Sequence, residues 1–149
     1  MAFPSSALFT ATFVDVLDAT QLALNLDAED HKVALYTNSV TGADLTTDTA
    51  YGVGAWGSNE VSGTGYTTGG ATLTGTTFLH TAGGVVAWDA TDPSWSTATI
   101  TARGALYYAD ALAGNNGILA QTFGADITST AGTFLISIHS SGLFTIDFV

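Results

Sequence analysis

Apolar and polar residues alternate along most of this chain, with a period of two that begins at residue 31. In the run His31–Thr37, for example, Val33, Leu35 and Thr37 share one phase, which is typical of a half-buried strand. Seven later segments show the same alternation: Ala71–Thr74, Thr76–Thr81, Val85–Asp89, Ala98–Ala109, Ile118–Phe123, Thr133–His139 and Leu143–Phe148. Because turn residues separate them and no helical pattern intervenes, they predict a mainly β fold, an antiparallel β-sandwich or jelly roll of about eight strands.

The N-terminal segment has a different period, of the kind found in helices. Phe9, Phe13, Val16 and Leu17 would share one face of a helix, and a serine before them offers an N-cap. Two β-branched threonines in the same stretch favour the competing interpretation, a strand. We predict a short N-terminal helix, within an N-terminal arm that covers residues 1–26.

Strand pairing and side-chain orientation follow from the same pattern in the later part of the chain. The runs Thr133–His139 and Leu143–Phe148 are separated by a tight turn around Ser141, which predicts that they pair as a hairpin over the core. In the longest run, Ala98–Ala109, strict alternation places Arg103 on the outer face.

A long stretch rich in glycine, threonine and serine, residues 52–70, contains Trp56 and Tyr66 but no strand pattern. A loop of this length in a compact domain is usually functional or an interaction arm. A shorter turn cluster covers Thr128–Gly132. With 149 residues, the chain has the length of an ordinary domain, and we expect a single β-sandwich domain over residues 1–149.

Charge sets strong limits on the partners. The chain has 13 acidic and two basic side chains, Lys32 and Arg103, for a formal net charge of −11. Since each neutralised phosphate needs a cation, this balance excludes the basic footprint of a nucleic-acid binder and repels anionic membrane surfaces. The strand positions that face away from the predicted core carry mostly Thr and Ser instead of charges. Such faces are either Thr-rich and solvated or covered by identical or different subunits.

The sequence lacks the usual marks of disulfide chemistry and membrane insertion. It has no cysteine, which leaves the redox compartment undetermined. No window approaches about 18 uninterrupted apolar residues, so no transmembrane helix is expected. The first 26 residues contain no Lys or Arg, and we expect them to belong to the mature fold.

No arrangement of residue types predicts catalysis or a cofactor. The three histidines, His31, His80 and His139, are far apart in sequence and lack the spacing of a ligand pair. No G-x-S-x-G elbow occurs, and the glycine-rich run 63–69 lacks the spacing of a phosphate-binding loop. We therefore predict a non-enzymatic chain with no catalytic, cofactor-binding or metal-binding residues.

Two weaker interpretations stay open. Asp27, Glu29 and Asp30 are close enough in sequence to hold Ca²⁺, although a role in turns explains them better. Glu60 and Asp89 are the best candidates for the carboxylate pair of a glycoside hydrolase. A sugar-binding platform would use the aromatic residues: Trp56, Trp88, Trp95, Tyr107 and Tyr108. In a Thr-rich sandwich we expect most of these rings to belong to the core or to an interface.

Two segments resemble a known protein family. The stretch Asn59–Thr74, NEVSGTGYTTGGATLT, resembles the NEVSGTGYTxGGxxLT pattern of small virion proteins from tailed bacteriophages. The stretch Asp92–Ala105, DPSWSTATITARGA, resembles the W-x-x-x-T-I-T-A-R strand of the same family. The run His31–Tyr36 is similar to its KVALLTS strand, although Tyr36 and the next two residues replace a run of the Leu-Thr-Ser type. The segments occur in the order that they have in the family.

The resemblance implies a small β-rich structural protein of the virion, without catalytic residues. Its most direct implication is a capsid decoration or cement protein on the outer capsid surface, present in the host cytoplasm before assembly. Such a protein would form a homotrimer and stabilise the head by binding between subunits of the major capsid protein. A tail or head-tail connector component is the alternative within the virion. A carbohydrate-binding module or glycan hydrolase is a less favoured alternative.

The contact with the capsid is assigned to apolar residues of the N-terminal arm and of the 52–70 loop: Phe3, Pro4, Phe9, Phe13, Trp56 and Tyr66. We expect these segments to clamp the edges of neighbouring capsid subunits, with strand addition supplying main-chain hydrogen bonds. Burial in the protein's own core is the competing interpretation for each residue.

Overall fold

The computed structural model describes residues 6–17, 22–28 and 30–148. Within these residues the chain forms eight strands and one α-helix, which confirms the predicted mainly β fold. In chain order they are β1 (Ala7–Leu8), α1 (Thr10–Leu17), β2 (His31–Tyr36), β3 (Ala71–Thr72), β4 (Thr77–His80), β5 (Val85–Asp89), β6 (Ser94–Ala109), β7 (Gly117–Leu135) and β8 (Phe144–Asp147). Two short 3₁₀ turns lie at Gly54–Gly57 and Ala82–Gly84.

The strands form two antiparallel sheets. The larger sheet has the order β1-β7-β6-β2-β3, and the smaller one has the order β4-β5-β8. One hydrophobic cluster, here called the inner core, joins the two sheets: it contains Trp88 of β5 together with Val33 and Leu35 of β2 and Tyr107 of β6. Because buried side chains of both sheets meet in this cluster, the arrangement is that of a sandwich.

Trp88 is the central residue of the inner core and is fully buried. Its ring meets His31 and Tyr107 of the larger sheet edge to face, at centroid distances of 5.7 and 6.2 Å. It also contacts Phe144 of β8 at 5.6 Å. The indole Nε1 donates a 2.9 Å hydrogen bond to the carbonyl oxygen of Leu26, which satisfies the one polar atom of the side chain.

The opposite face of the larger sheet is also covered. A second cluster, here called the outer layer, contains Tyr36, Leu106 and Tyr108 from the sheet and Phe9 and Trp56 from the segments that cover it. Residues of one strand therefore enter the two clusters alternately, since successive side chains point to opposite faces. This explains why β2 is almost continuously buried.

β6 does not keep one phase along its length, so the strict alternation predicted for Ala98–Ala109 is wrong beyond Arg103. Ala102 faces the inner core, and strict alternation would place Gly104 and Leu106 on the same side. Instead, Leu106 lies in the outer layer and its neighbour Tyr107 faces the inner core. The change of phase coincides with an irregularity of the β6–β7 ladder at Arg103. A bulge shifts the alternation by one residue, and hydrophobic alternation alone does not reveal its position.

The predicted C-terminal hairpin is also wrong. β8 pairs with β5, for example Trp88 with Phe144, and therefore belongs to the smaller sheet. β7 continues through the predicted turn at Thr128–Gly132 and ends at Leu135, with a left-handed residue at Ala131 where the ladder shifts. The short segment around Ser141 thus crosses from one sheet to the other instead of closing a hairpin.

The predicted helix is present as α1, but it starts after Phe9. Phe9 precedes the helix and is fully buried in the outer layer. Phe13 packs edge to face on Phe144 of β8, at 5.9 Å between ring centroids, whereas Leu17 is exposed. The four residues therefore do not share one buried face. No helix within the described ranges has the length and apolar character needed to cross a membrane.

Candidate functional site

The predicted interaction loop, residues 52–70, lies against the larger sheet. Glu60 forms an isolated antiparallel bridge with Tyr36 at the end of β2, and Thr64 forms another with Thr99 of β6. The first bridge pairs the loop with β2, and the second pairs it with the part of β6 that β2 leaves uncovered. The loop is thus an extension of the sheet and does not project as a free arm.

The side chain of Glu60 links separate parts of this loop through hydrogen bonds. Its Oε1 accepts hydrogen bonds from the Tyr66 hydroxyl and from the Gly69 backbone N–H, both at 2.7 Å, and its Oε2 accepts one from the Tyr51 hydroxyl at 2.8 Å. An ionised carboxylate makes stronger hydrogen bonds than a neutral acceptor. One half-buried side chain therefore ties together three points of the chain between residues 51 and 69.

Two further tyrosine contacts extend this network onto the strands. The Tyr66 hydroxyl also accepts a 2.9 Å hydrogen bond from the Leu35 N–H of β2. The Tyr108 hydroxyl of β6 donates to the Gly69 carbonyl oxygen at 2.8 Å, and its ring stacks on Tyr51 with centroids 4.5 Å apart. The polar atom of Tyr66 is thus fully engaged within the chain.

The tyrosines share an electrostatic consequence of this packing. Burial raises the pKa of each of the five tyrosines above the ordinary value of this side chain: Tyr36, Tyr51, Tyr66, Tyr107 and Tyr108. The pKa of Tyr51 rises to about 12, first by burial and then by its hydrogen bond to Glu60. The negative charge of Glu60 adds to burial at Tyr36 and Tyr66.

The raised pKa values predict unfolding at alkaline pH. The neutral phenols stabilise the folded state fully below the unfolded-state pKa of about 10, and this stabilisation is lost as the pH rises from there towards the folded-state pKa of each tyrosine. We expect tyrosinate absorbance to appear together with the loss of the far-ultraviolet β signal. Tyrosines of the protein unfolded in denaturant, as the control, should ionise at about pH 10, the ordinary pKa of this side chain. Tyrosinate formation near that pH with the β signal intact would contradict the prediction.

The glycines of Asn59–Thr74 have steric roles. Gly70 adopts a φ of 77°, and a Cβ atom there would overlap the carbonyl oxygen of Val33 in β2. Gly65 adopts a φ of 80°, and a Cβ atom there would lie 2.8 Å from the Cα of Ala98 in β6. Glycine is the residue that tolerates both the left-handed backbone and such close approach. The glycine pattern is thus explained by the packing of the loop on two strands.

Trp56, a predicted contact residue, is held in the outer layer by the 3₁₀ turn Gly54–Gly57. Its ring lies 5.2 Å from Tyr36 and 5.9 Å from Phe9, and the Tyr36 hydroxyl donates a 2.8 Å hydrogen bond to its carbonyl oxygen. Only 1% of Trp56 is exposed, so its ring offers no surface to a partner in this conformation.

The six residues predicted for the capsid contact are spread over different environments. Phe9 and Trp56 are buried, and Tyr66 and Phe13 are half-buried. Phe3 and Pro4 lie outside the described residues. The role of all six residues in a partner contact stays a prediction.

Phe13 lines an apolar groove between α1 and the smaller sheet. The groove has a volume of about 400 Å³ and is lined mostly by apolar side chains, among them Phe78 of β4 and Ile146 of β8. The exposed side chains of Leu17 and Phe148 lie at its border. This groove is one of two uncovered surfaces that a partner could contact.

The second surface lies along β7. β1 pairs with this strand through Ala7 with Ala120 and Leu8 with Leu119. From Gln121 onward, no strand in the described part of the chain pairs with the outer edge of β7. Sequence reasoning missed this edge because the predicted turn divided β7 into two shorter strands.

The β6–β7 ribbon that carries this edge has little charge. Its exposed face bears Thr99, Thr101 and Thr128, and the hydroxyls of the last two are hydrogen-bonded at 2.8 Å. Arg103 fits into the irregular part of β7, where its guanidinium donates to the Asp126 carboxylate and to the Gly124 carbonyl oxygen, each at 2.8 Å. The ribbon therefore presents hydroxyls and backbone groups, with its one cation already paired.

Two of the carboxylates named for Ca²⁺ or sugar chemistry hold backbone groups. Asp27 accepts a hydrogen bond from the Phe78 N–H at β4. Asp89 accepts the Ala90 N–H at 2.9 Å, beside the end of β5. Among the residues with described positions, no group of three or more His, Asp or Glu side chains is arranged to hold a metal ion.

The aromatic residues considered for a sugar-binding platform are all buried: Trp56, Trp88, Trp95, Tyr107 and Tyr108. Stacking on a sugar ring requires an accessible aromatic face. These rings therefore serve the inner core and the outer layer, as the competing interpretation predicted.

Comparison with known proteins does not assign a family to the chain: no family model matches it, and no match was found among curated proteins or solved structures.

Proposed function

We propose that this chain is a non-enzymatic structural protein of a tailed-bacteriophage virion, a capsid decoration protein that binds between major capsid subunits. The observation that carries the proposal is the unpaired outer edge of β7, beside the Thr-rich face of the β6–β7 ribbon. An exposed sheet edge is a template for pairing with another chain. Binding through shape and main-chain hydrogen bonds suits a protein that covers the surface of a shell.

Two sequence properties support the same function. The segments Asn59–Thr74 and Asp92–Ala105 resemble small virion proteins of tailed phages. The net charge of −11 favours a position on the outside of the capsid, because a strongly acidic protein is repelled by packaged DNA.

In this proposal, three copies assemble around a local three-fold axis of the capsid. Each copy makes a modest contact with the neighbouring capsid subunits. Because many copies bind one shell, their contacts together resist the internal pressure of the packaged DNA through multivalency.

The direct test is co-sedimentation with expanded capsids of the phage that carries this gene, after small proteins have been stripped from the shell. We expect purified protein to bind in many copies and cryo-electron microscopy to place them over the whole shell. Absence of binding would overturn the proposal. Binding at one vertex or on the tail would replace it by the tail or connector alternative.

Light scattering coupled to size exclusion tests the oligomeric state separately. We expect a trimer for a decoration protein. A hexamer or a larger ring would favour the connector, since ring-shaped assemblies repeat one heterologous contact around a higher symmetry axis.

A further inference from the structure

The backbone at the C-terminal end of β7 is oriented for pairing with another strand. The Ile136 N–H donates a 3.0 Å hydrogen bond to the carbonyl oxygen of Pro93, so the backbone groups of Ile136 point towards the β6 side. Backbone groups of successive residues in an extended strand point in opposite directions. The N–H and carbonyl groups of Leu135 therefore point outward, on the edge that no described strand covers.

An uncharged groove lies beside this edge. It has a volume of about 380 Å³. It is lined by residues of β7 and by the two residues that follow this strand: Gln121, Thr122, Phe123, Ile127, Phe134, Leu135, Ile136 and Ser137. Ile127 pairs with Ala102, and Phe134 pairs with Trp95. Because directly paired residues share a face of the sheet, Ile127 and Phe134 lie on the inner face. Ile127 is partly exposed there, whereas Phe134 is buried.

An exposed apolar side chain at this groove indicates an apolar ligand. Ile127 is 46% exposed, although it belongs to a strand that is otherwise rich in threonine and serine. The side chain of Leu135 lies between those of Phe134 and Ile136 in the alternation and points to the opposite face, so Leu135 takes part in the edge through its backbone. An open edge with an adjacent side-chain pocket is the arrangement used in strand addition: main-chain hydrogen bonds supply affinity and the pocket supplies selectivity.

Charge and symmetry argue against a second copy of this chain as the occupant. Its two side-chain cations are already paired, Lys32 with Asp110 and Arg103 with Asp126, each at 2.8 Å. A second copy therefore brings a net charge of −11 and no unpaired cation to offset that of the first. Pairing of two β7 edges would also create a two-fold axis, whereas the proposed trimer needs a three-fold axis.

We infer that the outer edge of β7 around Leu135 binds an extended segment of the major capsid protein by strand addition. The segment places an uncharged apolar side chain in the groove next to Ile127 and carries Lys or Arg outside it, because the protein that it joins has a net charge of −11. This inference rests on the proposed function and deepens it by naming the surface and the chemistry of the bound segment.

The test uses the stripped capsids with four forms of the full chain: wild type, Leu135→Lys, Ile127→Lys and Leu79→Lys. Leu79 is the matched control because it is 58% exposed and lies in an edge strand of the smaller sheet, β4. We expect Leu79→Lys to bind as the wild type does. Ile127→Lys should weaken binding at least tenfold, since a lysine ammonium in an uncharged groove loses hydration without gaining a partner. Leu135→Lys places its charge on the opposite face of the edge and should weaken binding less than Ile127→Lys does.

A backbone variant separates strand pairing from side-chain contact. Leu135→Pro removes the outward N–H and leaves the hydrogen bond of Ile136 to Pro93 intact, because proline is tolerated where the N–H of an edge strand faces solvent. We expect this variant to bind at least tenfold more weakly. Thermal unfolding of each variant verifies its folding. If any of them fails to fold, a cryo-electron microscopy map of capsids decorated with wild-type protein decides by the presence of an added strand beside β7.

The outcomes separate this inference from the proposed function. If the wild type does not bind, the proposed function fails and the inference fails with it. If the wild type binds and the folded β7 variants bind equally well, only the inference is overturned. A wild-type dimer that Leu135→Lys converts to a monomer would identify a second copy as the occupant and would likewise overturn it.

Discussion

Replacement of Trp88 by alanine is expected to lower the free energy of unfolding by about 4 kcal/mol. Trp88 is fully buried between the two sheets and contacts rings on three other strands, those of His31, Tyr107 and Phe144. The substitution removes these contacts, leaves a cavity, and deprives the Leu26 carbonyl oxygen of its donor. Urea unfolding followed by circular dichroism measures the change.

Two variants control for this effect. Trp88→Phe keeps an aromatic ring but loses the Nε1 donor, and we expect a loss of about 2 kcal/mol. Leu79→Ala changes an exposed side chain on the neighbouring strand β4, and should alter stability by less than about 0.5 kcal/mol. A Trp88→Ala effect as small as that of Leu79→Ala would show that the sheets do not pack through this side chain.

Glu60→Ala is expected to cost about 3 kcal/mol and to lower the melting temperature by roughly 8 °C. The substitution removes the acceptor for two tyrosine hydroxyls and one backbone N–H, those of Tyr51, Tyr66 and Gly69. These partly buried donors then lose their carboxylate acceptor, and Glu60 no longer links Tyr51, Tyr66 and Gly69 to one another. Calorimetry measures the stability, and hydrogen exchange should show lower protection in this loop.

Glu60→Gln is the matched control for the carboxylate. The amide keeps one acceptor oxygen of similar position but loses the charge, so we expect about half of the effect of the alanine variant. If the alanine variant were as stable as the wild type, with unchanged protection of residues 52–70, the three hydrogen bonds to Glu60 would have no role in holding the loop.

Much of the strand content was predictable from local patterns. The run at His31–Tyr36 and the run at Val85–Asp89 alternate apolar and polar residues, and both form strands with nearly the predicted bounds. The helix at Thr10–Leu17 was predicted from its period, although not its first residue. Such patterns depend on which side chains face water, and that information is present in neighbouring residues.

Strand pairing was less predictable because it depends on contacts between distant residues. The run at Leu143–Phe148 has a suitable turn before it, but β8 pairs with β5 and buries Phe144 against Trp88. β7 keeps its pairing with β6 through Ala131, a left-handed residue in a segment that reads as a turn. In both cases the ladder with a neighbouring strand prevails over the local turn preference.

The candidate site shows the same division. The sequence singled out residues 52–70 as a long loop, but the position of Glu60 between Tyr51 and Tyr66 became visible only in three dimensions. The resemblance pointed to Trp56 as a contact residue, and packing placed it in the outer layer. The outer edge of β7 had no local signal, because an edge is defined by the absence of a neighbouring strand.

The sequence by itself determined the mainly β class, the position of most strands, the small number of charged residues and the glycine-rich character of the loop. These properties follow from side-chain chemistry and local backbone preference. Only the tertiary structure decided which strands pair, where the alternation of β6 shifts, and which apolar residues are buried. The physical reason is that bulges, crossovers and edges arise from the competition of whole strands for backbone partners. The outcome of this competition depends on residues far apart in the chain, so it is not visible at any single position.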